Sequence, residues 1–76
     1  MTPINLLRLS PSDTVGEAFG QMETYGVTAL PVVDDKRRIL GTVTEADLRR
    51  HVAKHGRISM FATTVDAVLE DLPHAA

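Results

Sequence analysis

The sequence contains no cysteine and no tryptophan, and its only aromatic residues are one tyrosine and two phenylalanines. The missing cysteines exclude a disulfide framework and a zinc site built on thiolates. No apolar run approaches the roughly 20 residues that a membrane span needs. The segment Met1–Asn5 lacks the charged start and apolar core of a signal peptide. We therefore expect a location in the cytoplasm, or on the cytoplasmic side of a larger membrane protein, without direct membrane insertion of this segment.

Charge of one sign is also not in excess. Eight lysines and arginines stand against ten acidic residues, so the formal net charge is -2. This balance and the low aromatic content argue against nucleic acid as a partner. The two basic clusters, Lys36–Arg38 and Arg49–Arg50, are interpreted as solvated surface, with a phosphate or partner contact as the alternative.

Length and composition fit one small domain. The chain has 76 residues, of which 43% are apolar and 24% charged, an ordinary composition for a globular domain. A domain of this size buries only roughly 60% of the surface that its unfolded chain exposes. We therefore expect the isolated domain to be only marginally stable and a partner surface to stabilise it further.

The first part of the chain predicts a strand followed by a helix. The segment Asn5–Leu9 is short and mostly apolar, and turn residues follow it. Thr14 and Glu17 have the spacing of a capping box, in which each side chain bonds the other residue's backbone N–H. An apolar stripe at helical spacing follows, and Gly26 stands where a helix-ending glycine belongs. The predicted helix runs from about Val15 to Thr24 or Tyr25.

The middle of the chain predicts a hairpin and a second helix. The β-rich runs Ala29–Val33 and Ile39–Thr44 are separated by a short polar turn. Pro31 has no N–H to donate, which indicates a strand edge or the end of a ladder. Thr44 and Asp47 again have capping-box spacing, so a helix is predicted to begin there and to end at Gly56.

Two segments carry a family resemblance, GVTALPVVD at 26–34 and GTVTEADL at 41–48. Together with the opening Met-Thr-Pro, and at this spacing, they resemble the CBS (cystathionine-β-synthase) domain family over about residues 1–54. The resemblance implies an α+β fold, a β-α-β-β-α repeat. It has a small three-stranded mixed sheet, two helices on it and a short C-terminal helix. One departure is the turn 34–38, which lacks the glycine that the family usually has there.

The implied organisation is a CBS repeat at 1–56, a linker at 57–63, a C-terminal helix at 64–72 capped by Thr64, and a tail at 73–76. The C-terminal helix resembles the lead-in to a second repeat. It could also complete its own repeat or swap onto a partner, and the sequence does not separate these.

The resemblance also implies a function, the sensing of a ligand such as AMP, ADP, ATP or S-adenosylmethionine in a cleft between two repeats. No cofactor is required. Where a strand becomes a helix, free backbone N–H groups suit an anion, so Thr44 would bind phosphate or ribose. The Asp47 carboxylate would accept from ribose hydroxyls, and 27–29 would contact the base. The predicted ligand-binding residues are Thr2, Asn5, Leu7, Val27, Thr28, Ala29, Pro31, Thr44 and Asp47.

An alternative role needs no ligand. Thr44 and Asp47 could serve only as a helix cap, and the chain would then be a dimerisation or assembly module of a larger protein, such as a transporter, a channel or a metabolic enzyme. CBS repeats act in pairs, so a second repeat is expected in either case. A homodimer with isologous contacts is the simplest arrangement.

Neither a catalytic site nor a metal site is predicted. The carboxylates are scattered, and none has a histidine or lysine at a supporting spacing, so we expect no enzyme in this segment. His51 and His55 lie one helical turn apart, but zinc requires a third ligand. The neighbouring positive charges of Arg49, Arg50 and Lys54 would oppose a cation.

Overall fold

The computed structural model describes residues 7–72, and within them it forms four helices and one two-stranded sheet. Thr2 and Asn5, two predicted site residues, lie outside this range. In chain order the elements are α1 (Val15–Tyr25), β1 (Ala29–Val33), β2 (Ile39–Thr44), α2 (Glu45–His55), α3 (Ser59–Ala62) and α4 (Val65–Asp71). None of the helices in this range is long and apolar enough to cross a membrane.

Helix α1 begins and ends where the sequence predicts. The Thr14 hydroxyl accepts from the N–H of Glu17 at 3.1 Å, and the Glu17 carboxylate accepts from the N–H of Thr14 at 3.3 Å. This capping box provides acceptors for N–H groups that have no partner inside the helix. Gly26 adopts a left-handed conformation, with φ of 66°, and its N–H bonds back to the last turn. The helix and both its caps are confirmed.

The predicted hairpin is confirmed with its strand bounds. β1 pairs antiparallel with β2, Leu30 opposite Val43 and Pro31 opposite Thr42, and a bulge occurs between Val32 and Val33. Leu30, Val32 and Val43 are fully buried. Because side chains alternate between the faces of a strand, one face of the hairpin packs on the core and the other is turned away from it.

The turn of the hairpin is formed without glycine. Arg37 takes the left-handed conformation there, with φ of 65°. The Asp34 carboxylate accepts from the N–H groups of Lys36 and Arg38, at 2.9 and 2.8 Å, and from Nε of Arg38 at 2.8 Å. These bonds to Arg38 and Lys36 lower the pKa of Asp34 below its usual value. The carboxylate thus closes the turn that the sequence left uncertain.

The predicted three-stranded sheet is not confirmed, because the described residues form a sheet of two strands. Only Leu9 makes a parallel bridge to β1, donating to the Pro31 carbonyl and accepting from Val33, both at 2.8 Å. The next bond in one direction would need an N–H from Pro31, and in the other direction an N–H from Pro11. Neither proline has one, and in the part of the chain that the structure describes the ladder consists of this single bridge.

Helix α4 packs on the core of its own chain. Its start lies beside the start of α1, where Val15 donates to the Thr63 carbonyl at 3.0 Å and Val65 donates to Asp13 at 2.8 Å. Thr64 precedes the helix but makes no side-chain cap; its hydroxyl contacts the Asp66 carboxylate instead. The buried apolar core consists of Leu9, Val15, Ala18, Met22, Leu30, Val32, Val43, Leu48, Val65 and Val68.

The segment 57–63, expected to be a linker, contains the short helix α3. The Ser59 hydroxyl donates to the Gly56 carbonyl at 2.6 Å, and Met60 packs against the core. A Cβ added to Gly16 would lie 3.0 Å from the Met60 carbonyl oxygen. The close approach of α3 to α1 therefore depends on glycine at this position.

Candidate functional site

The junction of β2 and α2 holds the two central residues of the predicted site. The Thr44 hydroxyl accepts from the N–H of Asp47 at 3.1 Å, and the Asp47 carboxylate accepts from the N–H of Thr44 at 3.0 Å. The two side chains thus form a complete capping box. The capping role considered for them is present in the structure.

Capping does not use all the hydrogen-bonding capacity of these residues. An ionised carboxylate has about four acceptor positions, and a hydroxyl has one donor and two acceptors. The second carboxylate oxygen of Asp47 faces the Arg50 guanidinium at 3.5 Å, and the side chain is 15% exposed. Asp47 therefore keeps free acceptor positions, and the Thr44 hydroxyl keeps its proton to donate.

Backbone contacts bring the β1 residues of the predicted site to the same junction. The N–H of Glu45 donates to the Thr28 carbonyl at 2.8 Å, and Ala29 lies opposite Thr44 in the hairpin. Thr28 and Ala29 are exposed. Their polar and small side chains therefore lie beside the start of α2, where the sequence predicts a base to bind.

The remaining predicted residues are less accessible. Val27 and Leu7 are half-buried and pack against the core. Pro31 is half-buried and lies on the same face of β1 as Ala29, opposite Thr42. The structure brings together part of the predicted set at one face of the hairpin, where Ala29 and Thr42 are exposed and Pro31 and Thr44 are half-buried.

The charges at the start of α2 are largely paired within the helix. Arg49 contacts Glu45 at 2.9 Å, one turn away, and Arg50 contacts Asp47. Two carboxylates in the first turn suit the helix dipole, but they oppose a bound phosphate, so neutralisation by Arg50 matters. Arg50 was considered only as an alternative phosphate or partner contact and was not among the predicted site residues. Its three-residue spacing from Asp47 on a helix is the signal that could have indicated it.

A second polar cluster lies along the later part of α2. His51 is buried, with 9% of its surface exposed, and its Nδ1 lies 3.9 Å from a carboxylate oxygen of Asp71 in α4. Burial, with a further contribution from the neighbouring His55, lowers the pKa of His51. Asp71 was not predicted to join these histidines, because no local spacing links α4 to α2.

Comparison with known proteins identifies a family model that matches residues 1–54, the model of the CBS domain. Inosine-5'-monophosphate dehydrogenase of Methanocaldococcus jannaschii is 44% identical over 45 residues, which make up 59% of this chain and 9% of that enzyme. The chain therefore corresponds to a small part of this curated relative.

Two solved structures are similar over most of the chain. A CBS-domain-containing protein from Agrobacterium tumefaciens has a TM-score of 0.77 and 31% identity, over 82% of this chain and 46% of that one. CBSX2 in complex with AMP has a TM-score of 0.55 and 31% identity, over 72% of this chain and 47% of that one. The chain thus spans about half the length of each.

Proposed function

Because the chain belongs to the CBS domain family, we propose that it is a regulatory module that pairs with a second repeat and binds an adenine nucleotide between them. CBS domains are typically regulatory parts of proteins. The observation that carries the proposal is the open hairpin face beside Thr44 and Asp47, where hydrogen-bonding capacity remains after capping. The AMP complex of CBSX2, a similar chain, supports the choice of ligand.

Each group at the junction has a role in this proposal. The free acceptor positions of Asp47 bind the ribose hydroxyls, a pairing that distinguishes a nucleoside from other planar ligands. The Thr44 hydroxyl binds phosphate or ribose, with Arg50 near enough to offset the carboxylate charge. The exposed Thr28 and Ala29 contact the base.

The second wall of the site comes from a partner repeat, most simply a second copy of the chain. One hairpin face cannot enclose a nucleotide, and ligand sites in proteins bury most of the ligand surface. Large apolar side chains also remain uncovered: Ile58 and Phe61 are each 78% exposed, and Ile39 is 71% exposed. An isologous dimer would cover the same patch on both copies.

Calorimetry with AMP, ADP, ATP and S-adenosylmethionine tests the proposal. The test needs a variant that separates the capping role of Asp47 from its ligand-binding role. Asp47→Glu does this, because glutamate is a usual residue at this position of a capping box and yet moves the carboxylate by one methylene. We expect Asp47→Glu to fold and to bind AMP about tenfold more weakly or worse, since a hydrogen bond to a charged group contributes about 1.5–3 kcal/mol.

The capping box of α1 provides the matched control. Glu17→Asp makes the reverse exchange at an exposed site on another helix, so AMP affinity should not change. If the AMP affinity is equal in the wild type and both variants, Asp47 does not belong to the binding site. Absence of heat with all four ligands in a folded dimer would refute nucleotide binding altogether.

A ligandless assembly module is the second candidate. It is favoured by the capping box, which already provides Thr44 and Asp47 with partners in the absence of any ligand. Such a module, as part of a larger protein, would form the dimer but show no rise in melting temperature with AMP or ATP. A nucleotide-binding module would show a rise, because a ligand that binds only the folded state stabilises it.

A further inference from the structure

Three side chains of metal-ligand type meet between α2 and α4. His51 and His55 come from one face of α2, and Asp71 comes from the end of α4. One ligand atom from each lies within 4.8 Å of the other two. A carboxylate oxygen of Asp71 is 3.9 Å from Nδ1 of His51 and 3.9 Å from Nε2 of His55.

The imidazole of His51 is buried but lacks the hydrogen bonds that a polar side chain in the core normally makes. Among the described residues, its Nε2 is the one buried side-chain polar atom without a hydrogen-bond partner. Buried polar atoms normally have a partner. Its other nitrogen, Nδ1, lies 3.9 Å from the Asp71 carboxylate, beyond hydrogen-bond distance. Neither ring nitrogen therefore has a hydrogen-bond partner in this part of the chain, and Nδ1 is the nitrogen on the Asp71 side.

The cluster has the donor set and nearly the spacing that zinc needs. Zinc binds imidazole nitrogen and carboxylate oxygen at about 2.0–2.2 Å, so two donors on a tetrahedral ion lie about 3.3 Å apart. Closing the contacts to Asp71 from 3.9 Å requires a shift of about half an ångström, and the separations among all three donors, which reach up to 4.8 Å, must also shorten. His55 and Asp71 have side chains that are 42% and 59% exposed, so both can rotate.

We propose that His51, His55 and Asp71 bind a zinc ion that ties α4 to α2. His51 and His55 donate nitrogen, Asp71 donates oxygen, and water takes the fourth position, as in sites with three protein ligands. The histidine pair alone is a weak signal, and it is the carboxylate from α4 that completes the minimum set. The zinc site does not depend on the proposed nucleotide contacts, although Asp47 and Arg50 line the same cleft.

Two positive side chains near the cluster oppose a cation. Lys54 and Arg50 line the cleft beside it, together with His51, Asp71 and Asp47. Arg50 is paired with Asp47, which offsets its charge. Lys54 is exposed and flexible, and it can turn into solvent. Lys54→Ala should accordingly strengthen zinc binding severalfold, since one unit of like charge is removed close to the ion.

Zinc titration of the full, tag-free chain against a chromophoric chelator tests the site. We expect one zinc per chain. Asp71→Asn should lower the affinity at least about tenfold, because even outer-shell partners of a metal site contribute 10- to 100-fold. Glu70→Gln is the matched control: it removes the same charge from the adjacent, exposed residue of α4, and affinity should be unchanged.

Further variants exclude unspecific coordination. His55→Ala should abolish the one-to-one binding and should fold, since the side chain is partly exposed. His74→Ala changes the only other histidine of the chain, which lies outside the described residues, and it should keep the affinity. Equal losses in Asp71→Asn and Glu70→Gln would overturn the proposal, as would a zinc affinity that depends on His74 and not on His55.

Thermal melting gives an independent readout of the link between the two helices. Zinc should raise the melting temperature of the wild type, because an ion bound only by the folded state stabilises it. Zinc should raise the melting temperature of Glu70→Gln by the same amount and that of Asp71→Asn only slightly. No rise in the wild type at zinc concentrations that saturate the chelator assay would contradict a site formed by the folded chain.

Discussion

At the scale of single residues, the hairpin turn shows how a chain can use an unfavourable conformation. Arg37 has φ of 65°, a region that costs an ordinary L-residue about 1–2 kcal/mol. The Asp34 carboxylate holds the turn with bonds to Lys36 and Arg38. The pattern of a polar turn was readable from sequence, but the left-handed residue was not, since no glycine marks it.

Arg37→Gly should therefore stabilise the protein. Relief of the left-handed strain outweighs the greater freedom of glycine in the unfolded chain, and we expect a gain of about 0.5–1 kcal/mol in the free energy of unfolding, measured in urea. Lys36→Gly is the control, because its φ is not positive and it should lose stability. A gain of the same size in both variants would mean that Arg37 is not strained.

The turn also gives stability a dependence on pH. The pKa of Asp34 is lower in the folded chain than its ordinary value of 3.8, so the unfolded chain binds a proton more readily. The contribution of Asp34 is therefore complete above pH 3.8 and is lost as pH falls through the folded pKa.

Urea denaturation from about pH 6 to about pH 3 measures this effect. Asp34→Asn should lose less stability than the wild type over the acid part of that range, because asparagine does not titrate. Asp35→Asn, a change at the exposed neighbour, should follow the wild type. Identical acid losses in all three proteins would contradict a role for the Asp34 carboxylate.

At the scale of elements, two glycines of α1 have different meanings. A Cβ on Gly20 would meet nothing within 4 Å, whereas a Cβ on Gly16 would press on the Met60 carbonyl. Glycine costs a helix interior about 1 kcal/mol relative to alanine. Of the two, only Gly16 faces a close helix contact.

Gly20→Ala should accordingly raise the free energy of unfolding by up to about 1 kcal/mol. Gly16→Ala should gain nothing or lose stability, because α3 must move to admit the new methyl group. Thermal or urea unfolding of the two variants measures the difference. An equal gain in the free energy of unfolding of both variants would show that α3 can move without cost and that its packing does not require the close approach at Gly16.

The elements that sequence predicts well are those encoded by local pattern. The bounds of β1 and β2 follow from their apolar runs, and the ends of α1 from its caps. Within residues 7–72 the third strand is reduced to a single bridge at Leu9, because prolines at 11 and 31 remove the ladder donors on either side of it. Helix α3 has four residues, about one turn, and shows no periodicity that could reveal it.

At the scale of the whole molecule, the contacts between segments distant in the chain were not predicted from the sequence. Helix α4 buries Val65 and Val68 in the core of this chain. That packing brings Asp71 to His51 and His55. At the junction of β2 and α2, the pairing of Thr44 and Asp47 was predicted from their spacing, while the contact of Arg50 with Asp47 depends on the fold of α2.

Pairing is the whole-molecule property on which the proposed function depends. The hairpin face is open, and the exposed Ile58 and Phe61 provide apolar surface for a partner. A ligand that contacts two repeats favours the packing in which it makes the better contacts. Nucleotide would thus shift the arrangement of the pair, and an attached domain would respond to that shift.

The most direct test of nucleotide binding at the junction of β2 and α2 is a residue-resolved titration of the labelled chain with AMP by NMR. We predict that backbone amide shifts change at Thr28, Ala29, Thr44 and Asp47, and that those of the turn at Lys36 do not. Absence of any change at saturating AMP would contradict the proposal, and so would changes confined to residues away from the junction.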